Sequence, residues 1–233
     1  VLRQIKLLVF DLDYLLFDCG ALKIKALRES LLQFAELIPQ DARLPDDIDV
    51  EEGYQKYGFR WTRYLELGFG DEELAELENR YRVQERQLAT AGIGGLYPGI
   101  PESLQRLRAM QLELALGVEA TREYLLAVSD RHGLDRLFHT AFCTEEFGMG
   151  GADEMLEEIM CRAEVNPSET IALGTRPDFF LAARNLDIRT IGCGWGLRDT
   201  QVLNAADLQS AISFSVTAAV EEADRMAGGT LTD

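Results

Sequence analysis

The stretch KLLVFDLDYLLFD, Lys6 to Asp18, decides how the rest of the chain is read. Leu7, Leu8, Val9 and Phe10 form a short apolar run without alternation, the pattern of a strand buried on both faces of a parallel sheet. Asp11 and Asp13 follow at once. In open α/β sheets ligands bind beyond the carboxyl ends of the strands, so both carboxylates stand where chemistry is usually placed. Asp is common in ordinary turns too, but a plain turn does not explain a DxD set between apolar residues.

Downstream of Asp18 the pattern turns helical. Leu22, Ala26, Leu27, Leu31, Leu32 and Phe34 recur at helical spacing, and a strongly periodic helix is predicted from about Asp71 to Leu88. No convincing strand lies between Cys19 and Thr90. Gly92, Gly94 and Gly95 read as a flexible connector. Pro101 then suits the first turn of a helix. Strands are expected over Leu112–Val118, in AFCTEE, in TIALGT and in RTIGCGWG, with helices between them. Strands alternating with helices imply a parallel sheet with right-handed crossovers.

The first stretch resembles the opening motif of the haloacid-dehalogenase-like (HAD) hydrolase superfamily, and in particular its phosphoglycolate-phosphatase-like branch. That motif runs hhhhFDLDGTLxDS, with h apolar. VFDLD and Asp18 match it, while Tyr14 and Leu15 hold its Gly and Thr positions. LYPGIPESLQRL, VSDRHGLDRLF and AFCTEE are similar to later family segments, and the resemblance runs from about Ile5 to Gly196. It implies an α/β fold: a HAD-like, Rossmann-type parallel sheet core over residues 1–17 and 94–225. A helical cap is inserted at 18–93, and a short tail covers 226–233.

It also implies chemistry. In the family the first Asp attacks phosphorus and forms an aspartyl-phosphate, and the second handles the leaving-group proton and then activates water. Asp11 and Asp13 hold those positions, so both are the catalytic candidates. The family further uses a hydroxyl after the second strand, a Lys before the next helix, and acids after the fourth strand that hold magnesium with the first Asp and the second Asp's carbonyl. Aligned without gaps, the hydroxyl falls on Val118, the Lys on Met149, the metal-binding Asp on Thr175 and a later acid on Phe179. Asp178 is one position early for that last role, and a shift that rescues it misplaces AAR. Asp11, Asp13, the weak candidate Asp178 and the degenerate position Thr175 are thus the metal set, with Val118 and Met149 as degenerate phosphate-binding positions.

Counted as charge, one cation and two carboxylates leave together while Asp11 and Asp13 stay. Each lost donor to a transferring phosphoryl group costs roughly 10²–10³ in rate, and such groups act as a unit. The expectation is a pseudo-phosphatase that binds a ligand or partner. The alternative is an active magnesium-dependent phosphomonoester hydrolase acting through Asp11. Magnesium is the cofactor if the site is active, and none is needed otherwise. Without the Lys or a metal, Asp11 and Asp13 are expected to be like charges held close without compensation. Arg122 and Arg176 flank degenerate motifs and are candidates for replacement positive charge, with a solvated loop arginine the ordinary expectation for each. Tyr14 is expected to place a ring in or near the phosphate pocket. Tyr57, Phe59, Arg60, Trp61 and Tyr64 are more often cap core or a partner surface than ligand contacts.

Composition sets the outer bounds. The 233 residues are 47% hydrophobic and 27% charged, with a net charge of −17, which suits a globular protein with a sizeable core. An acidic surface disfavours nucleic acid and anionic lipid, leaving a small phosphorylated metabolite or a protein as the expected partner. Cys19, Cys143, Cys161 and Cys193 lie far apart with no CxxC, so reduced thiols and a cytoplasmic location are expected. No signal peptide or membrane-spanning run is read.

Overall fold

The computed structural model describes residues 5–34, 38, 45–57, 69–198, 200–205 and 211–226. Its centre is β1 (Leu7–Phe10), every residue of which is buried. β1 pairs in parallel with β4 (Glu113–Val118) on one side and with β6 (Thr170–Gly174) on the other. β5 (Thr140–Cys143) extends the sheet beyond β4, while β7 (Arg189–Cys193) and β8 (Ala211–Ser213) extend it beyond β6. The order is β5-β4-β1-β6-β7-β8. The chain therefore leaves β1 towards one edge and returns to its other side. Such a reversal opens a crevice at the carboxyl ends of the central strands, and Asp11 is the first residue past β1.

Helices cover the sheet. In α4 (Ile100–Ala109) Ile100, Leu104 and Leu107 form the buried stripe, and Pro101 occupies the first turn. In α5 (Arg122–His132) the Thr121 side chain accepts the Tyr124 N–H, and Gly133 ends the helix at φ 65°. In α6 (Ala152–Arg162) Met155, Leu156, Ile159 and Met160 face inward. α7 (Pro177–Asn185) follows β6, and α8 (Gln201–Ala205) and α9 (Val216–Met226) close the chain. β8 and α9 lie beyond Gly196, where the resemblance ends. AGGTLTD lies outside the described residues.

Two short strands escape a reading by periodicity. β2 (Phe17–Asp18) pairs antiparallel with β3 (Gly95–Leu96), and between them the described chain is helical: α1 (Gly20–Leu32), α2 (Asp47–Tyr57) and α3 (Asp71–Thr90). Two residues are too few to carry a pattern. α1 packs on α3, and α3 packs on α5 of the sheet layer. The glycines before β3 are not a slack connector. Gly92 and Gly94 adopt φ +85° and +87°, and a Cβ on Gly94 would run into the Phe17 ring and the Asp18 carbonyl. Phe59, Arg60, Trp61 and Tyr64 lie outside the described residues, as does the Tyr57 side chain.

The turn after β1 is fixed by its own backbone. The N–H groups of Leu15, Leu16 and Phe17 all donate to the Leu12 carbonyl, and the Tyr14 N–H donates to the Phe17 carbonyl at 2.9 Å. Tyr14 sits at φ 60°, where a Gly would rest without strain and a side chain costs about 1 kcal/mol or more. Its ring is buried in the core. Trp195 Nε1 donates to the Leu15 carbonyl at 2.9 Å, and Gly196 lies flat against the Tyr14 carbonyl.

A Cβ on Gly196 would overlap that carbonyl and come within 2.6 Å of the Tyr97 hydroxyl. Gly196→Ala is therefore expected to cost about 1–3 kcal/mol, as overpacking does. Gly95→Ala, where a Cβ meets nothing within 4 Å, stays within about 0.5 kcal/mol of the parent. Urea denaturation of the pair checks this, and equal midpoints would refute it.

Candidate active site

Asp11 and Asp13 are both buried, at 1% and 2% exposure. A carboxylate this deep needs hydrogen bonds and a cation, because its lost hydration costs several kcal/mol. Each aspartate has its own set.

Asp11 leaves β1 with its N–H donating to the Leu173 carbonyl at 2.9 Å. Its Oδ1 accepts the Leu12 N–H at 2.8 Å, and its Oδ2 accepts Arg176 Nε at 3.1 Å. Arg176 stands between β6 and α7 and is only 3% exposed. Its Nη1 forms an ion pair with Glu119, just past β4, and lies 3.8 Å from Asp178. One guanidinium thus serves three carboxylates. Burial pushes the Asp11 carboxyl up to about 6; Arg176 pulls against that, and the Asp13 charge adds to it.

Asp13 faces the inserted helices. Lys23 Nζ, from α1, lies 2.8 Å from Oδ2, and the Tyr124 hydroxyl, from α5, donates to Oδ1 at 2.7 Å. Lys23 is fully buried, and its ammonium also donates to Glu85 of α3 at 2.6 Å and lies 4.4 Å from the Tyr124 ring centroid. Burial alone would lower the Lys23 pKa, but Asp13 and Glu85 outweigh it and the net displacement is upward. Burial raises the Glu85 carboxyl, with Lys23 opposing. The Asp13 backbone carbonyl accepts the Thr175 hydroxyl at 3.3 Å.

Several sequence expectations meet this geometry. Val118 is the buried last residue of β4, and Phe179 is buried in α7. Asp178 is half exposed in the first turn of α7. Met149 belongs to the 3₁₀ segment Thr144–Gly150, and its side chain lies outside the described residues. Arg122 is the first residue of α5, partly exposed, with its guanidinium donating to the Ala141 carbonyl at 2.9 Å and paired with Glu146, so it does not reach the aspartates. Arg176 is the opposite, and the ordinary expectation fails for it. The expected uncompensated pair of aspartates is also corrected, because Arg176 serves Asp11 and Lys23 serves Asp13.

Lys23, Glu85, Tyr124 and Glu119 were not singled out from sequence. A signal existed for two of them. Lys23 falls among the buried positions Leu22, Ala26 and Leu27 of α1, and Glu85 between Tyr81 and Leu88 on the buried face of α3. A charge on an apolar stripe calls for a buried partner.

An open pocket of about 480 Å³ is lined by Glu119 and Asp178, the outer partners of Arg176, and by neither aspartate. Its charged lining is Glu119, Glu145, Asp153 and Asp178 against Arg82. That balance offers no pull on a phosphate. Tyr14, expected to place its ring in or near a phosphate pocket, has that ring packed in the core. Nor do the residues fit magnesium. Asp11 is engaged by Arg176, the Asp13 carbonyl by Thr175, and Thr175 supplies no carboxylate. Among the described residues no group of three or more His, Cys, Asp or Glu is placed to hold a metal.

Two measurements follow from the ion pairs. Lys23→Met strands Asp13 and Glu85 together in the interior, and breaking such a pair costs about 3–5 kcal/mol. Adding Glu85→Gln should return part of that loss. Denaturant unfolding of the single and double variants checks this, and a double variant no more stable than the single would contradict it.

For Asp11 the folded pKa of about 6 lies above the ordinary 3.8. The native state therefore binds the extra proton, and stability falls as pH rises from about 4 through 6. The loss, fully present above that window, amounts to about 3 kcal/mol at most. Asn cannot ionise, and Arg176 keeps Glu119 and Asp178. Asp11→Asn should then be more stable than the parent at neutral pH and equal to it near pH 4. Melting curves across that range test it, and a variant weaker at pH 7 would count against it.

Comparison with known proteins agrees with this architecture. Residues 8–193 match the sequence model of the haloacid dehalogenase-like hydrolases. The chain is 26% identical over 201 residues to a phosphoglycolate phosphatase of Agrobacterium fabrum (strain C58), covering 84% of each chain. Its fold matches that of a predicted phosphatase from Clostridium acetobutylicum with a TM-score of 0.79 at 17% identity, over 94% of this chain and 97% of that one. CbbY of Rhodobacter sphaeroides, solved in complex with phosphate, matches with a TM-score of 0.72 at 17% identity, over 91% and 95%. A parallel sheet with paired aspartates at its switch point, and a sequence match across most of its length, place this chain in the haloacid dehalogenase-like hydrolase family, in its phosphoglycolate-phosphatase-like branch.

Proposed function

We propose that this protein is a pseudo-phosphatase: a phosphoglycolate-phosphatase-like scaffold with lost or strongly reduced phosphatase chemistry, which binds a ligand or protein partner. The observation that carries this reading is the state of Asp13. Both of its oxygens accept, from Lys23 and from the Tyr124 hydroxyl, in a cluster closed by Glu85. That is the bonding pattern of an ionised carboxylate held in place, whereas the family's second aspartate has to carry a proton to the leaving oxygen. Turning Asp13 towards a leaving-group oxygen would break its contacts with Lys23 and Tyr124 and cost Lys23 a buried partner.

Asp11 supports the same reading. A nucleophile has to turn one oxygen towards phosphorus. Here Oδ1 holds the Leu12 N–H and Oδ2 holds Arg176. The neighbouring pocket carries four acids and one arginine, so of the two expected partner classes a protein suits it better than a phosphorylated metabolite.

The test is a panel of small phosphomonoesters, phosphoglycolate among them, assayed with millimolar magnesium on the parent and on Asp11→Asn. Phosphate release should be the same for both proteins. Turnover present in the parent and absent in Asp11→Asn would instead establish the active hydrolase that works through an aspartyl-phosphate on Asp11.

A further inference from the structure

We propose that Arg176 is the resident cation of this site, standing in for a divalent metal, so that the fold is complete without one. The proposal rests on two consecutive residues. In the phosphoglycolate-phosphatase-like pattern GDSxxD, the positions of Thr175 and Arg176 hold Asp and Ser. There the Asp joins the carboxylate of the first aspartate and the carbonyl of the second around magnesium. Here the same two groups are each taken by one member of the dipeptide. Arg176 Nε donates to the Asp11 carboxylate at 3.1 Å, and the Thr175 hydroxyl donates to the Asp13 carbonyl at 3.3 Å.

The charges balance as well. A divalent ion together with one carboxylate carries a net single positive charge, and so do Thr175 and Arg176 together. Thr175 is 0% exposed and Arg176 3%, so the substitution is made inside the protein and not at its rim. A guanidinium is suited to the place: it never loses its charge, and its planar fork reaches several carboxylates at once. Nε serves Asp11 while Nη1 meets Glu119 and stands near Asp178. Removing the guanidinium alone would leave Asp11 buried without its cation. Adding a metal-binding carboxylate alone would give Arg176 one more partner and leave no vacancy.

The inference does not depend on whether turnover has been lost, and its readout is magnesium binding. The proteins are the full-length parent, Thr175→Asp, and Thr175→Asp with Arg176→Ser. Each is titrated with magnesium chloride by calorimetry and melted with magnesium or EDTA. The parent and Thr175→Asp should show no heat of binding and the same melting temperature in both media. The double variant should bind magnesium at least tenfold more tightly than Thr175→Asp.

Parent protein that is stabilised by magnesium, with the effect gone in Asp11→Asn, overturns the proposal. So does Thr175→Asp that binds as tightly as the double variant, or a folded double variant that does not bind at all. If the double variant fails to fold, the parent and Thr175→Asp decide: metal-indifferent melting in both upholds the proposal, and magnesium stabilisation of either overturns it. Phosphatase activity that survives EDTA would defeat the pseudo-phosphatase reading while leaving this one standing.

Discussion

The contact between Lys23 and Asp13 is the constraint from which the rest of the molecule can be read. A carboxylate at the end of a central parallel strand is cut off from water once helices close over it, and it then has to be matched by a cation brought in from elsewhere. In this chain the cation comes from α1, the first helix after the β2 strand. Lys23 in turn requires Glu85 from α3, and the Tyr124 hydroxyl of α5 closes the arrangement on the other oxygen of Asp13. One buried cluster therefore joins the sheet, the inserted helices and the helix that follows β4.

That cluster has a consequence for motion. Moving α1 and α3 away from the sheet would separate Lys23 from Asp13 and leave both in a partly apolar cleft until water reached them. The antiparallel pairing of β2 with β3 adds a second tie, reinforced by the Tyr97 N–H donating to the Leu16 carbonyl at 3.0 Å. Gly94 fits this tie because a side chain would collide with Phe17. The inserted helices are bound to the sheet layer by hydrogen bonds and charge pairs, and α3 also packs directly on α5.

The sheet was legible in the sequence because buried parallel strands leave unbroken apolar runs, and the residues of β1, β4, β6 and β7 were marked out by them. The two-residue strands were not, since their pairing is decided by a turn and a glycine contact and not by periodicity. At the site, Asp11 and Asp13 were legible as carboxylates just past a buried strand, while Val118 and Thr175 were reached only through the resemblance to the family pattern. What spacing could not supply was the direction of long side chains. Arg176 lies beside a degenerate motif in sequence, and only the fold turns its guanidinium inward onto Asp11. Lys23 is separated from Glu85 by 62 positions, and their pairing depends on how two helices are packed.

The same geometry changes what the motif FDLD signifies. Two aspartates after a buried strand invite a catalytic interpretation, because free carboxylates so placed would be costly unless they were used. Neither is free here. Asp11 is the partner of Arg176, and Asp13 is the partner of Lys23. In both pairs the cation is buried as deeply as the acid, so replacing the acid alone transfers the problem to the cation. For Asp11 the transfer is mild, since Glu119 and Asp178 remain to hold Arg176. For Asp13 it is severe, since Lys23 would lose one of the two carboxylates that hold it in the interior. The two aspartates are therefore held to different degrees, and Asp13 is the one that the buried charge of Lys23 constrains.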